Sequence, residues 1–388
     1  MKWRRLVPIA FISTLMVSCG APSASKIGPS ASPGGTATPS PAAAAATPGA
    51  FPVATDMTCA DLSSFGVNRY VERPSDYNRH EAVLCDGSQL DRPLALHPLD
   101  SASTIGFLGA NVIGFLQQSG NGTSDASGAI KTLDLTSQQV ATVASQPGYV
   151  QAVAWSHYRS MVAFMTLTDG ARHFLLKRGS NSAKDLTPPI QLFGRGGMEG
   201  DESLAAFSPD DQYVLFVDTA LNRLQVFRTT DGGAAYTAPS GAGGLRTMAT
   251  WAHGGDEMYF RNDSGVYRWD PTSGVSSFAP GVKWENPVFS PDDHHLAYTV
   301  LDSAGTPRIV IREMANGTTT SSPTMRLSME FLSNAFLLER VTRACDNQGP
   351  CGPYAPTENT LALRLDTGVE SQLPMPAGWG LDAFVQGH

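Results

Sequence analysis

Apolar and polar residues alternate in short runs along most of the chain, a pattern typical of β-strands that bury one face. The runs come in pairs around tight turns, most clearly in FSPDDQYVLF (Phe207 to Phe216) and FSPDDHHLAY (Phe289 to Tyr298). In each turn, Pro fixes its own φ and Asp hydrogen-bonds to nearby backbone N–H groups, so the two flanking runs are expected to form a β-hairpin. The pattern therefore predicts an all-β protein.

The hairpin motif recurs in weaker copies along the chain, each with an aromatic residue at the end of its first strand. Taking that aromatic residue as the anchor of each copy gives Phe107, Trp155, Phe207, Trp251, Phe289 and Phe331. Successive anchors are roughly 45 residues apart, which leaves room for four short strands per repeat. A repeat of this length and content predicts a β-propeller. The anchors themselves are interpreted as apolar wedges between blades.

The number of blades depends on the two ends of the repeat region. Leu381 to Phe384 resembles a first strand without the rest of its blade, whereas Val67 to Glu72, Glu81 to Cys85 and Pro93 to His97 resemble three strands without a first. Joining them would complete a seventh blade and close the ring, which protects the exposed edges of the first and last blades. We therefore predict seven four-stranded blades, with six blades and an N-terminal cap as the alternative.

The Phe-Ser-Pro-Asp-Asp turn followed by an alternating strand resembles the WD40-like repeat of the TolB propeller. The same repeat occurs in the tricorn protease and in the propellers of prolyl-oligopeptidase-type enzymes. The resemblance covers roughly residues 100 to 376, and the glycine usual after Ser-Pro-Asp is replaced here by Asp211 and Asp293. Since scaffolds, translocation proteins and peptidase domains all use this repeat, the resemblance implies the fold and leaves the function open.

The N-terminal region indicates export. Residues 1–18 combine a basic start with an apolar run that is too short to span a bilayer, as in a signal peptide. Met16 to Cys19 resembles a bacterial lipobox, and that resemblance implies that Cys19 is lipidated; the alternative is ordinary signal-peptidase cleavage with Cys19 incidental. Residues 19–52 are rich in Ala, Pro, Ser and Thr and are expected to form a disordered tether. The propeller would then occupy residues 53–388, held outside the cytoplasm by a lipid anchor on the cell surface or in the periplasm.

The five cysteines fit the same compartment. If Cys19 carries lipid, four remain, and they can pair in three ways. Sequence proximity favours Cys59 with Cys85 and Cys345 with Cys351, which would be structural disulfides in an oxidising compartment. Neither pair has the spacing of a zinc site, so no metal and no cofactor is expected.

Tests for catalytic and nucleic-acid chemistry give negative results. The sequence contains no Gly-x-Ser-x-Gly motif, and the formal charge of −8 becomes −8 − 3 = −11 without Lys2, Arg4 and Arg5, so nucleic acid would be repelled. His157 and His253 share one repeat position and are interpreted as solvated turn residues. The acidic pairs in the same turns, such as Asp210 with Asp211 and Asp292 with Asp293, are interpreted as turn caps.

Long connections predicted on one face of the propeller are the expected binding surface, because rigid scaffolds usually carry function on such loops. They span Gln118 to Ala129, Pro188 to Glu202, Ala234 to Leu245 and Arg343 to Glu358. Aromatic and arginine side chains dominate binding hot spots. The candidates on this face are Phe193, Arg195, Tyr236, Arg246, Trp284 and Tyr354.

Two functions follow from these observations. The favoured one is a non-catalytic, monomeric lipoprotein scaffold that binds an envelope protein or glycan and meets the membrane only through its anchor. The alternative is a propeller enzyme, such as a lactonase or a glycan lyase, with its site in the central channel. That alternative needs polar groups on the inner strands, where the sequence offers Glu285, Asn286 and Glu330.

Overall fold

The computed structural model describes residues 57–74, 81–120, 126–168, 171–186, 190–191, 203–218, 223–238, 249–344 and 354–386. They belong to one unit of the chain, Thr47–His388. Their strands form seven antiparallel sheets, each with four strand positions, and the only helices among these residues are two short 3₁₀ turns, Ser63–Phe65 and His97–Leu99. The protein is a seven-bladed β-propeller, as the repeat length predicts.

The strands follow one another in chain order, and six blades are built from consecutive strands. The first three strands are β1 (Arg69–Pro74), β2 (Val83–Asp86) and β3 (Leu94–Ala95). Blade 1 comprises β4 (Ser103–Phe107), β5 (Val112–Ser119), β6 (Ser127–Asp134) and β7 (Val140–Pro147). Blade 2 comprises β8 (Tyr149–Trp155), β9 (Met161–Thr168) and β10 (Ala171–Arg178), with β11 (Lys184–Asp185) and β12 (Ile190–Gln191) both pairing with β10. Blade 3 comprises β13 (Ser203–Phe207), β14 (Tyr213–Asp218), β15 (Arg223–Arg228) and β16 (Ala234–Thr237).

The remaining blades repeat the pattern. Blade 4 comprises β17 (Ala249–Trp251), β18 (Met258–Asn262), β19 (Gly265–Asp270) and β20 (Gly274–Pro280). Blade 5 comprises β21 (Trp284–Phe289), β22 (His295–Leu301), β23 (Pro307–Glu313) and β24 (Thr319–Thr324). Blade 6 comprises β25 (Arg326–Ser333), β26 (Phe336–Ala344), β27 (Tyr354–Arg364) and β28 (Glu370–Gln372), and the last strand is β29 (Trp379–Phe384).

The ring closes by joining the two ends of the chain. In blade 7, β29 pairs with β1, whose partners continue outward to β2 and β3. The register sets Tyr70 opposite Phe384 and Val71 opposite Ala383. A disulfide between Cys59 and Cys85 ties the segment before β1 to β2. Both the predicted closure and this predicted pairing are confirmed; Cys19, Cys345 and Cys351 lie outside the described residues.

Each aromatic anchor packs against the preceding blade. Phe207 lies among Phe174 and other core residues of blade 2, Trp251 lies against Leu215 and Val217 of blade 3, and Phe331 lies against Ile309 and Ile311 of blade 5. Phe384 closes the circle by packing on Leu338 of blade 6. The hydrophobic core is therefore divided into interfaces between neighbouring blades, and the interpretation of the anchors as wedges is confirmed.

The turn between the first and second strands explains why Ser-Pro-Asp-Asp recurs. In blade 3, the Asp211 N–H donates to the Ser208 carbonyl at 2.9 Å, and Asp210 accepts from the Gln212 N–H at 2.8 Å. Asp211 adopts φ 61°, and its counterpart Asp293 adopts φ 58°. This left-handed conformation explains why related repeats place glycine here, since glycine adopts it without a steric cost.

The carboxylates of Asp211 and Asp293 act between blades, which the turn-cap interpretation missed. Asp211 Oδ1 accepts from the His157 backbone N–H at 2.9 Å and lies 2.9 Å from His157 Nδ1, and its Oδ2 accepts from the Tyr158 N–H at 3.0 Å. Asp293 makes the same contacts with His253, at 2.8 and 3.0 Å. We call these two sets of contacts the aspartate clasps. His157 and His253 are therefore partners of the next blade rather than merely solvated turn residues.

Between blades 3 and 4 the same rim carries a pair of acids. Asp210 and Asp256 share a hydrogen bond. Burial and the neighbouring Asp210 raise the pKa of Asp256 to about 6. Burial also acts to raise the pKa of Asp210, but hydrogen bonds from Gln212, Asp256 and Ser208 outweigh it and leave that pKa lowered. The two carboxyls therefore hold one proton between them at mildly acidic pH.

This pair predicts a specific dependence of stability on pH. Because the folded-state pKa of Asp256 lies above that of an unfolded chain, the folded protein loses stability as pH rises from about 4 through about 6. We expect Asp256→Asn to raise the melting temperature by about 1–3 °C at pH 7.5 and to change it little at pH 4. Differential scanning calorimetry at the two pH values measures this, with the exposed Asp263→Asn of the same blade as control. An equal shift at both pH values would contradict the shared proton.

Within the described residues, no helix has the length and apolar character needed to cross a membrane.

Candidate functional site

A cavity of about 530 Å³ lies where the first strands of five blades face one another. We call it the central cavity. Its wall is formed by residues of β13, β17, β21, β25 and β29, with contributions from β26 and β27 of blade 6. Its volume falls within the range of small-molecule sites, roughly 300–1,000 Å³. The cavity is the part of the described structure in which several blades place side chains around one space.

The three inner-strand residues that the sequence offered for a channel site all line this cavity. Glu285 and Asn286 lie on β21 and Glu330 lies on β25. Asn286 adopts φ 48°, and a register shift between Glu285 and Val288 marks the same place. The Ser328 hydroxyl donates to the Asn286 carbonyl at 2.7 Å and so fixes this irregular backbone from the next blade. Left-handed conformations of non-glycine residues are costly and concentrate at functional sites.

The acidic groups of the cavity each have a compensating partner. Glu285 Oε2 accepts from the Tyr354 hydroxyl at 3.1 Å and is also close enough to Arg261 for electrostatic attraction. Asp382 pairs with Arg73 at 2.9 Å. Burial raises the pKa of Asp382 in spite of that arginine. Both acids are therefore held in place by a partner, but the neutral Tyr354 hydroxyl leaves the negative charge of Glu285 on the wall.

Among the acidic residues that line the central cavity, Glu330 has the largest pKa shift. Solvent reaches its side chain through the cavity, but protein surrounds the carboxyl closely, and this burial raises its pKa to about 7 although His253 acts to lower it. The Gln386 amide donates to Glu330 Oε1 at 3.3 Å. A carboxyl with a pKa near 7 is partly protonated at neutral pH, so it can donate or accept a proton.

Arg340 on β26 also lines the cavity, although it is not among the residues predicted there. It lies on a second strand, whereas channel residues are expected on first strands. Its Nε is buried and has no hydrogen-bond partner. A signal was nevertheless present, because Arg340 follows the apolar run Phe336 to Leu338 at a position where a buried strand rarely carries a charge.

The candidate binding residues that the structure describes lie in three different places. Tyr354 begins β27 and lines the central cavity. Tyr236 belongs to strand β16, because Ala234 to Thr237 pair with β15. Trp284 is fully buried, 5.4 Å from the Tyr298 ring between centroids, so it is a core residue and offers no contact surface. Phe193, Arg195 and Arg246 lie outside the described residues.

Tyr236 lines a second depression, which we call the outer groove. It lies between blades 3 and 4, has a volume of about 510 Å³, and is bordered by Tyr213, Arg228 and Trp269. Tyr236 stacks on Trp269 with ring centroids 5.9 Å apart, and Trp269 is only 4% exposed. The aromatic rings therefore pack on one another and leave little free face for a ligand.

Cys59, Cys85 and Glu72 form the one cluster of potential metal ligands found among the described residues. Both sulfur atoms belong to the disulfide, so they offer no thiolate. Burial raises the pKa of Glu72 to about 7, which favours a neutral carboxyl beside Cys85. The cluster is explained as a disulfide packed against a protonated glutamic acid.

No protein-family model and no curated protein matches this chain. Among solved structures, TolB from Acinetobacter baumannii matches with a TM-score of 0.41 and 16% identity, over 68% of this chain and 64% of that one, which is less than two thirds of its length. A 6-phosphogluconolactonase-like protein of Bacteroides fragilis matches with a TM-score of 0.49 and 13% identity, over 82% and 98%. The WD40 domain of Toxoplasma gondii coronin matches with a TM-score of 0.44 and 12% identity, over 69% and 68%. TolB and WD40 propellers are thus among the structures similar to this chain, and the likeness is one of fold.

Proposed function

We propose that this chain is a lipid-anchored binding protein of the cell envelope that takes its ligand into the central cavity. The observation that carries the proposal is the cavity itself, where inner strands of five blades, together with β26 and β27, bring acidic, amide, hydroxyl and guanidinium groups around one space. The signal-like residues 1–18, the lipobox-like Cys19 and the disulfide between Cys59 and Cys85 support an oxidising, extracytoplasmic location.

Binding without catalysis is favoured by the pairing of the cavity's acids. Glu285 is held by Tyr354 and Asp382 by Arg73, so neither is presented as an isolated nucleophile or base. Polar groups fixed by their own neighbours suit recognition, because they need no reorganisation when a ligand arrives. The ligand would be a small molecule, or a projecting group of an envelope glycan or protein.

Filling the cavity tests this proposal. Thr250 lies on β17 and lines the cavity, and we expect Thr250→Trp to abolish ligand-induced thermal stabilisation. The assay is a thermal-shift screen of the purified mature chain against sugars, sugar acids, amino acids and short peptides. Val275→Trp is the matched control, because Val275 is 44% exposed and lines the outer groove. Compounds that stabilise both variants equally well would contradict binding in the central cavity.

One observation favours an enzyme as the second candidate, namely the pKa of Glu330 near 7 beside Glu285 in one cavity. A carboxyl of that kind could act as a general acid. The enzyme assignment replaces the scaffold assignment under one condition. The wild-type protein must convert a compound that it binds, and Glu330→Gln must still bind that compound without converting it.

A further inference from the structure

Arg340 is the one charged residue lining the central cavity whose side chain has no hydrogen-bond or ion-pair partner among the described residues. Five arginines in the described residues have a buried Nε without a hydrogen-bond partner: Arg69, Arg73, Arg172, Arg326 and Arg340. Four of them hold a carboxylate oxygen of Asp86, Asp382, Asp218 or Glu339 at 2.7 to 3.8 Å. Arg340 alone among them has no hydrogen bond or ion pair within the part of the chain that the structure describes.

The acids that share the cavity do not supply the missing partner. Glu285 is engaged by Tyr354, Asp382 by Arg73, and Glu330 by Gln386. The cavity therefore contains one cationic group without a counter-charge among the described residues. Partly burying a guanidinium without a partner is costly, and buried unsatisfied groups in native structures call for a specific explanation.

We propose that the central cavity binds a small organic acid whose carboxylate pairs with Arg340. This inference rests on the proposed function and names its ligand class. A guanidinium presents parallel N–H donors that match the two oxygens of a carboxylate. Because Nε itself is buried, the ligand would pair with the terminal Nη groups of Arg340 and balance the charge.

Two features of the central cavity's wall narrow the chemical class of the ligand further. Glu285 and Asp382 keep negative charge near the site, so a monoanion is preferred to a dianionic phosphate. The remaining wall groups include the acceptors Glu285 and Glu330, the hydroxyl of Tyr354 and the amide of Asn286. Acceptors recognise donors, so the carboxylate ligand also carries hydroxyl or amino groups, as hydroxy acids, sugar acids and amino acids do.

Isothermal titration with matched pairs of ligands tests the inference. The carboxylates are D-glucuronate, L-lactate, L-alanine and L-alanyl-L-alanine, each paired with the amide that replaces its carboxylate and leaves its other groups unchanged, and inorganic phosphate is a separate arm. We expect at least one carboxylate to bind wild-type protein at least tenfold more tightly than its amide. Arg340→Lys should weaken that carboxylate about tenfold, and Arg340→Gln should abolish the preference. Arg228→Gln in the outer groove is the control and should change nothing.

The outcomes separate this inference from the proposed function. Equal affinity for a carboxylate and its amide, retention of the preference in Arg340→Gln, or tighter binding of phosphate overturns the carboxylate assignment. If neutral compounds bind wild type and lose affinity in Thr250→Trp but not in Arg340→Gln or Arg340→Lys, the cavity is the ligand site and only the carboxylate inference fails. If none of the carboxylates, amides or phosphate binds, the carboxylate inference fails, and the proposed function is decided by the thermal-shift screen with Thr250→Trp. Equal melting temperatures of wild type and Arg340→Lys show that a loss of binding is not a loss of fold.

Discussion

Asp218→Ala is expected to lower the free energy of unfolding by about 3–5 kcal/mol, the range for breaking one side of a buried ion pair. Asp218 on β14 and Arg172 on β10 are both fully buried, with Arg172 Nη1 2.7 Å from Asp218 Oδ1. The pair crosses the interface between blades 2 and 3. Removing the aspartate leaves the arginine charge in a low-dielectric interior that water does not reach.

The double variant Arg172→Met, Asp218→Ala separates two free energies. One is the cost of leaving the Arg172 charge buried without Asp218, and the other is the net contribution of the ion pair to stability. We expect it to be more stable than Asp218→Ala alone, because no unpaired charge remains. Asp231→Ala is the matched control, since its partner Arg228 is also an arginine but Asp231 is 57% exposed; it should destabilise the protein far less than Asp218→Ala. Chemical denaturation measures all three. A double variant that is no more stable than Asp218→Ala would contradict this account.

The second large effect is expected at the aspartate clasps. Asp211→Gly should cost about 2–3 kcal/mol, because the His157 and Tyr158 N–H groups lose a charged acceptor while the backbone keeps its left-handed conformation. Asp211→Ala should cost about 1 kcal/mol more, since alanine resists that conformation. Asp293→Gly and Asp293→Ala should lower stability in the same order, because Asp293 makes the equivalent contacts with His253.

A control for the clasps removes an aspartate that caps only its own turn. Asp302 accepts from the Ala304 and Thr306 N–H groups within blade 5, and Asp302→Ala should destabilise the protein less than Asp211→Gly. Melting temperatures and denaturation midpoints give the comparison. If Asp211→Gly is as stable as wild type, as it would be if the aspartate merely stood where similar repeats have glycine, then the clasp does not hold the blades together.

The fold was predictable because its information is local and repeated. The aromatic anchors recur about every 45 residues, and Phe289, the anchor predicted at the end of a first strand, is the last residue of β21. The closure of the ring was predictable because the N-terminal region supplies three strands of a blade and the C-terminal region supplies the missing first strand. Contacts between blades were not predictable in this way, because Asp211 looks like any turn residue until blade 2 is placed against it.

The candidate site was predictable only in part, for the same physical reason. Glu285, Asn286 and Glu330 could be found because first strands line a propeller's channel. Predicting that Arg340 lines the cavity would have required the register of β26. The register shift between Ser328 and Glu330 in β25 also alters which side chains face inward. Trp284 was misjudged because residue type indicates a hot spot only when the side chain is exposed, and its burial depends on packing against Tyr298.

Carbodiimide labelling of Glu330 in native membranes, compared with the purified and dialysed chain, tests the occupancy of the central cavity most directly. Solvent reaches Glu330 through the cavity, so a bound ligand should cover it, whereas Asp366, 61% exposed in its ion pair with Arg364, provides the internal reference. We predict that labelling of Glu330 relative to Asp366 is lower in native membranes by about threefold or more. Equal relative labelling in the two samples would contradict the claim that this cavity holds the protein's ligand.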